Sequence, residues 1–242
     1  MSALAHYLEE EGIASVAIAL IRPQAENTRP PRALWVPFEL GRPLGPPSDK
    51  VFQRRVILAA LGMLERSPGP VLIEDFPADD PREAADPAWQ SPSARLEGGA
   101  ADGSALAAEL TAELHGLARA YAQSCTERGR STVGLTGLAP AACADYAAAW
   151  LRGPTSASPV MDMSPVLALR FVSDDLKAFA LEAALAGGGK PSSRQLGDWL
   201  WNQTALGTAL HALRRQLLAG DDERAKAVAA FLVPALRLPP GS

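Results

Sequence analysis

The residues with the clearest chemical potential are arginines set in stiff loops. Arg29-Pro30-Pro31-Arg32 and Gly41-Arg42-Pro43-Leu44-Gly45 place guanidinium groups on backbone stiffened by proline and opened by glycine. A guanidinium presents a planar fork of donors that fits carboxylates and phosphates. Arg29, Arg32, Arg42, Gly41 and Gly45 therefore outline a candidate site for a small anionic substrate. The competing reading is a structural turn whose arginines pair with acidic residues downstream, because ion pairing alone satisfies Arg. Glu74-Asp75 is the best carboxylate pair, and Glu74 joins the candidate substrate-binding set. The pair closes a predicted strand, and ligands of parallel α/β sheets gather at the carboxyl ends of strands. Neighbouring strand residues point to opposite faces, so only one of the two aims at a given site. Loop capping is the plainer role.

Other chemical groups are sparse. Cys125 and Cys143 lack C-x-x-C spacing, so zinc and thioredoxin-like chemistry gain no support. Both read as small core residues. His6, His115 and His211 show no H-x-x-x-H spacing and read as structural or surface histidines. G-x-S-x-G, Walker A and G-x-G-x-x-G motifs are missing. Gly134 and Gly137 bracket a strand-to-helix turn, but Pro140 removes one N–H there, which leaves a weak phosphate site. Asp174 and Asp175 read as helix-capping groups. Trp199 and Trp201 do not share a helix face and read as core packing plus a partner interface.

These groups need elements to place them. Residues 3–11 read as a helix closed by Gly12, and 13–21 as a strand apolar on both faces. Residues 22–32 read as a loop, 33–38 as a second strand, and 71–73 as a third. Between the last two, Ser48 or Asp49 caps a helix with apolar spacing at Val51, Phe52, Val56, Ile57, Ala60, Leu61 and Leu64, ending before Pro68. Residues 77–103 are dominated by Pro, Asp, Ala, Ser and Gly and read as a long loop or flexible linker. Helices are expected at 104–128 and 140–151, and strands at 131–135 and 166–172. Ser173-Asp174-Asp175 signals a further helix start, and three more helices follow at about 193–203, 204–219 and 222–232. The expected class is α/β: a short, mainly parallel sheet with flanking helices and a helix-rich C-terminal half. Its parts are an α/β segment over 1–76, the acidic loop 77–103, and an α/β continuation and helical region over 104–238.

The chain has 242 residues, 48% of them hydrophobic, and a net charge of −4. This suits a protein with a substantial core and argues against nucleic acid as a partner. Residues 22–55 carry a net charge of +4 and residues 56–113 a net charge of −8. The apolar runs are too short for a membrane span, and acidic Glu9-Glu10-Glu11 replaces the basic region of a secretory signal. A cytoplasmic location with reduced thiols is expected.

The first quarter of the chain adds a resemblance. Glu10-Glu11-Gly12-Ile13-Ala14-Ser15-Val16, the stretch from Arg29 to Phe38, and Pro43-Leu44-Gly45-Pro46-Pro47 resemble the C-terminal part of the glycine/sarcosine/betaine reductase selenoprotein B and D-proline reductase family. That family has a helix, a strand of the AGIP-T/V-V type, and a PLG-N-P loop followed by a basic helix, here Lys50 to Val56. Pro43, Leu44, Gly45 and Pro47 match the loop, Pro46 replaces its Asn, and Ala14 replaces the strand Pro. The likeness covers about residues 1–66. The family's redox selenocysteine or cysteine precedes the opening helix, and no Cys occurs here before Cys125.

The resemblance implies a subunit of a reductase-type complex that cleaves a bond alpha to a carboxylate. A partner bearing Cys or Sec would supply the thiol or selenol, and the arginine loops would hold the substrate. The alternative is a non-catalytic α/β binding or assembly protein that has lost the redox centre. A third option, a hydrolase or transferase, rests only on Glu74 and Asp75. A homo-oligomer or a hetero-complex is expected in either of the first two cases. The sequence names no cofactor and no metal.

Overall fold

The computed structural model describes residues 2–66, 71–92, 102–186, 188–234 and 237–238. The chain divides into two compact units, Met1–Ala85 and Asp86–Ser242. The first carries a short parallel sheet with flanking helices, and the second is helical among its described residues. The chain is therefore α/β with a helix-rich C-terminal half.

In the first unit the order is α1 (Ser2–Glu10), β1 (Ala17–Ala19), α2 (Arg22–Thr28), β2 (Arg32–Trp35), α3 (Lys50–Gly62) and β3 (Leu72–Asp75). The strands lie in the order β1-β2-β3, all parallel, with Ala17 opposite Ala33 and Ala33 opposite Ile73. Strand β1 is shorter than the apolar run 13–21, whose ends, Ile13 and Ile21, are exposed. Helix α2 replaces the expected loop. Pro23 sits in its first turn, where a missing N–H costs no helical bond. Arg29 closes it in the left-handed region at φ 46°, its N–H donating to the Ala25 carbonyl. Asp49, one of the two expected caps, accepts from the Phe52 N–H at 2.9 Å and starts α3. The expected stop at Pro68 lies outside the described residues.

The core of this unit is a triad of rings. Phe38, Phe52 and Phe76 meet edge to face or tilted, with centroids 5.5, 5.8 and 5.9 Å apart. Leu34, Val36, Val56, Ala60 and Met63 surround them. Gly45 explains the shape of the loop before α3. Its φ is +81°, and an added Cβ would sit 2.5 Å from the Phe52 ring.

In the second unit the order is α4 (Gly103–Arg128), α5 (Pro140–Arg152), α6 (Pro165–Ala184), α7 (Ser193–Gln203), α8 (Ala205–Ala219) and α9 (Glu223–Leu232). The two strands expected here are absent. Residues 131–135 run as an irregular segment, and 166–172 belong to α6. The apolar run 166–172 is short enough to read as a strand, yet it continues with helical spacing. Its true start is Ser164-Pro165, where the Ser164 hydroxyl accepts from the Leu167 N–H and Pro165 opens the first turn. Ser173, Asp174 and Asp175 lie inside α6 instead of capping it. Ser173 donates back to the Leu169 carbonyl at 2.7 Å, and Asp174 pairs with Lys177 at 2.8 Å.

The acidic stretch after residue 76 is fastened where it is described. Asp86 accepts from the backbone of Ala88 and Lys190, and its own N–H donates to Gln195. The Trp89 indole donates to the Ala184 carbonyl at 3.1 Å and meets Trp199 edge to face. Residues 93–101 lie outside the described residues, as does the tail from 239. Trp199 and Trp201 are both buried within the unit. Their burial within the unit leaves neither ring for the expected partner interface.

Gly45→Ala is expected to lower stability by about 1–3 kcal/mol, combining overpacking against Phe52 with an unfavourable φ. Urea unfolding of the two proteins measures it.

Candidate binding site

Strand β2 separates the arginines singled out from sequence. Arg29 and Arg32 stand at its amino end, whereas Arg42 lies in the loop beyond its carboxyl end. At about 3.3 Å per residue, β2 alone keeps these ends about 10 Å apart. Arg22, Arg32, Arg42 and Arg66 each have an acidic partner within the unit. Arg32 pairs with Glu9 at 2.5 Å, and Arg42 lies 3.6 Å from Glu83. Glu74 pairs with Arg66 at 2.8 Å. Asp75, on the opposite strand face, pairs with Arg22, which also lies over the Trp35 ring. Arg29 is exposed. Gly41 and Gly45 both have positive φ, at 89° and 81°, and shape the turn that carries Arg42.

The helical unit holds a more concentrated arrangement. Two acidic side chains of α6, Asp175 and Glu182, lie two turns apart on one face. Both residues are buried, and both hold the segment between α4 and α5. The Asp175 carboxylate accepts from the N–H groups of Gly134, Leu135 and Thr136 at 2.7, 2.9 and 2.9 Å, and from the Thr136 hydroxyl at 2.6 Å. Successive N–H groups in a turn make an anion-binding hollow. The turn noted above as a weak phosphate site is thus filled by the chain's own carboxylate. Glu182 accepts from the Thr132 N–H and hydroxyl, both at 2.7 Å, and from the Ser131 hydroxyl at 2.8 Å.

These bonds set the charge states. Burial pushes the Asp175 carboxyl upward, but the Thr136 hydroxyl and the three backbone donors outweigh it and hold it below the ordinary range. Glu182 follows the same balance: burial raises it, and Thr132, Ser131 and the Arg128 charge bring it down. Cys143 goes the other way. Burial raises its thiol, and the Asp175 charge adds to that rise despite a contact with the Thr136 hydroxyl. A buried thiol held protonated is a poor nucleophile.

Beside the clamped segment lies a cavity of about 350 Å³. Leu114, Ala118, Ala144 and Phe179 give it an apolar interior, and Thr111, His115, Tyr121 and Asp145 add polar groups. Ala139, Pro140 and Ala141, reached from the clamped segment through Gly137 and Leu138, form part of the wall. The clamp and the cavity share two further parts. Phe179 sits on α6 between Asp175 and Glu182. Tyr121 packs on Phe179 with ring centroids 4.6 Å apart and shares a hydrogen bond with the Ser131 hydroxyl at 2.9 Å. A cavity of this size, apolar with a few polar groups, fits a small organic molecule.

Sequence reasoning found Asp175 and His115 but gave them no joint role, and it passed over Glu182 and Asp145. The usable signal was the seven-residue spacing of Asp175 and Glu182, two turns apart on one face of a largely apolar helix. Two carboxylates on a buried face require donors, and the nearest unpaired backbone was the Gly-rich turn. Among the described residues, no cluster of His, Cys, Asp and Glu is arranged to hold a metal ion, and no helix is long and apolar enough to cross a membrane. Comparisons with protein-family models, with curated proteins and with solved structures find no match to this chain.

Asp175→Asn is expected to cost about 2–4 kcal/mol at neutral pH, because it removes a charged acceptor from four donors. The pH dependence has a definite sign. Carboxyls held low in the fold stabilise it fully above their unfolded range near pH ~4 and lose that contribution as pH falls through the folded value. Chemical denaturation across acidic pH should show that loss in the parent protein, and a smaller one in Asp175→Asn and Glu182→Gln.

Proposed function

We propose that the chain is a non-catalytic binding protein whose helical unit takes a small, mainly apolar molecule in the α4–α5–α6 cavity. The observation that carries this reading is the convergence of Phe179, Tyr121, His115 and Asp145 on one cavity with a fastened wall. The aromatic pair offers a surface for a flat ring, and Asp145 offers an acceptor for an N–H or O–H group. On this reading the first unit is a reductase-B-like scaffold that has kept its loop and lost the chemistry. The engaged arginines support that. Arg32 and Arg42 serve Glu9 and Glu83, so their charge stabilises the fold.

The reductase reading, in which a partner supplies the thiol or selenol, rests on the resemblance of residues 1–66 and requires an anion held by Arg29, Arg32 or Arg42. The two readings part in a titration. Indole, followed by NMR, is expected to bind saturably and to shift the Ala118 and Ala144 amides. Ala118→Phe fills the cavity and should weaken that binding by about tenfold or more, equivalent to about 1.4 kcal/mol. Acetate and glycine should show no saturable binding that Arg32→Ala or Arg42→Ala removes. Carboxylate binding lost in those arginine variants would restore the reductase reading. Indole shifts that persist in Ala118→Phe would sink the cavity assignment.

A further inference from the structure

A second surface lies in the first unit and does not depend on the cavity. Among the described residues, strand β1 is an edge strand, paired with β2 alone. Parallel ladders alternate, so that every second residue turns both its N–H and its C=O toward the neighbouring strand. The Val36 N–H donates to the Ala19 carbonyl at 2.9 Å, which fixes the phase of that alternation. Ala17 and Ala19 therefore face β2, and Ile18 turns its N–H and C=O outward. A groove of about 310 Å³ is lined by residues 17–21 of the strand segment. Its other side is formed by Ser2 and by Gln24, Ala25 and Thr28 of α2, with Leu40 at the rim.

Natural sheets protect such edges with charges, prolines or bulges. The β3 edge carries Glu74 and Asp75, both ion-paired. The β1 segment, Ala17-Ile18-Ala19-Leu20-Ile21, has no charge and no proline. At the end of its groove Ile21 is 45% exposed and Leu40 is 70% exposed. An edge that combines free backbone groups with a smooth, uncharged strand fits an extended polypeptide segment, because only a backbone supplies donor and acceptor at the same spacing.

We propose that this edge pairs with β1 of a second copy of the chain, antiparallel, about a two-fold axis at Ile18. The single outward-facing residue of the strand makes the match self-complementary. Each Ile18 donates its N–H to the other Ile18 carbonyl, as in a hydrogen-bonded antiparallel pair. A two-fold contact requires the same patch on both copies, and an uncharged strand meets itself without repulsion. The small side chains of Ala17 and Ala19 on one face permit the close approach. Pairing joins two three-stranded sheets into one of six strands.

The test uses the full chain, by sedimentation equilibrium together with amide hydrogen exchange over a range of concentrations. The expected result is a reversible dimer in which the Ile18 amide gains protection as concentration rises. The Ala17 and Ala19 amides, bonded within the sheet, should be protected throughout. Ile18→Pro removes the outward donor and spares the ladder to β2, which uses residues 17 and 19; because Ile18 also packs against the core of the unit, retained protection of the Ala17 and Ala19 amides identifies a variant that has folded. It should weaken the dimer on the order of tenfold, through two lost reciprocal bonds, and leave those ladder amides protected. A chain that stays monomeric overturns the proposal, including the case in which a different protein occupies the edge. So does a dimer whose formation leaves Ile18 exchange unchanged.

Discussion

The Asp175 carboxylate takes four hydrogen bonds from three consecutive residues, and the wall of the helical cavity hangs on that capture. A segment of irregular backbone beside a helical core has polar groups that must be satisfied. In a sheet a neighbouring strand would do it. Here Asp175 and Glu182 stand in for the strand, and they do so from a helix that is itself buried against α4 and α5. The turn is thereby fixed to the same element that presents Phe179. Position of wall and position of ring surface become one variable.

The same device recurs across the chain. Glu113 on α4 accepts from the N–H groups of Ala205 and Leu206 and caps α8 alongside Thr204. Asp86 gathers Ala88 and Lys190, and Glu9 accepts from the Ser15 N–H at 2.7 Å. Among the described residues, acidic side chains serve backbone donors as well as arginines. That accounts for many of the carboxylates in a chain whose negative charge otherwise points to no partner. Charge-assisted bonds to backbone N–H groups are stronger than neutral ones, which lets a few carboxylates do the work of many turn contacts.

Much of the architecture was legible in the sequence, and the failures share a cause. Helical periodicity located α1, α3, α4 and α5 closely, and Asp49 marked a real cap, because these signals are local. The strands at 131–135 and 166–172 were misread because β-branched and apolar runs do not say what lies beside them. Among the described residues, 131–135 have no strand neighbour, only carboxylates 40 to 51 positions away in sequence. The run at 166–172 turned on Ser164-Pro165, a cap outweighed by the more conspicuous Ser173-Asp174-Asp175. The site was less legible than the fold. Arg32 and Arg42 look alike as sequence, and only topology reveals that a strand keeps them apart. His115 and Asp145, on separate helices, share a cavity that no spacing rule encodes.

The capture of backbone by Asp175 and Glu182 separates two things that loops usually confound. Leu135 gives its N–H to Asp175 while the residue is 61% exposed. The anchor reads the main chain and ignores what that residue displays. A new side chain at this position leaves the fastening intact, so the exposed face of the segment can be rewritten without reopening the question of how the loop folds. The segment tolerates variation in the side chain it displays and resists it where its backbone is held, so its surface and its fold are free to change separately.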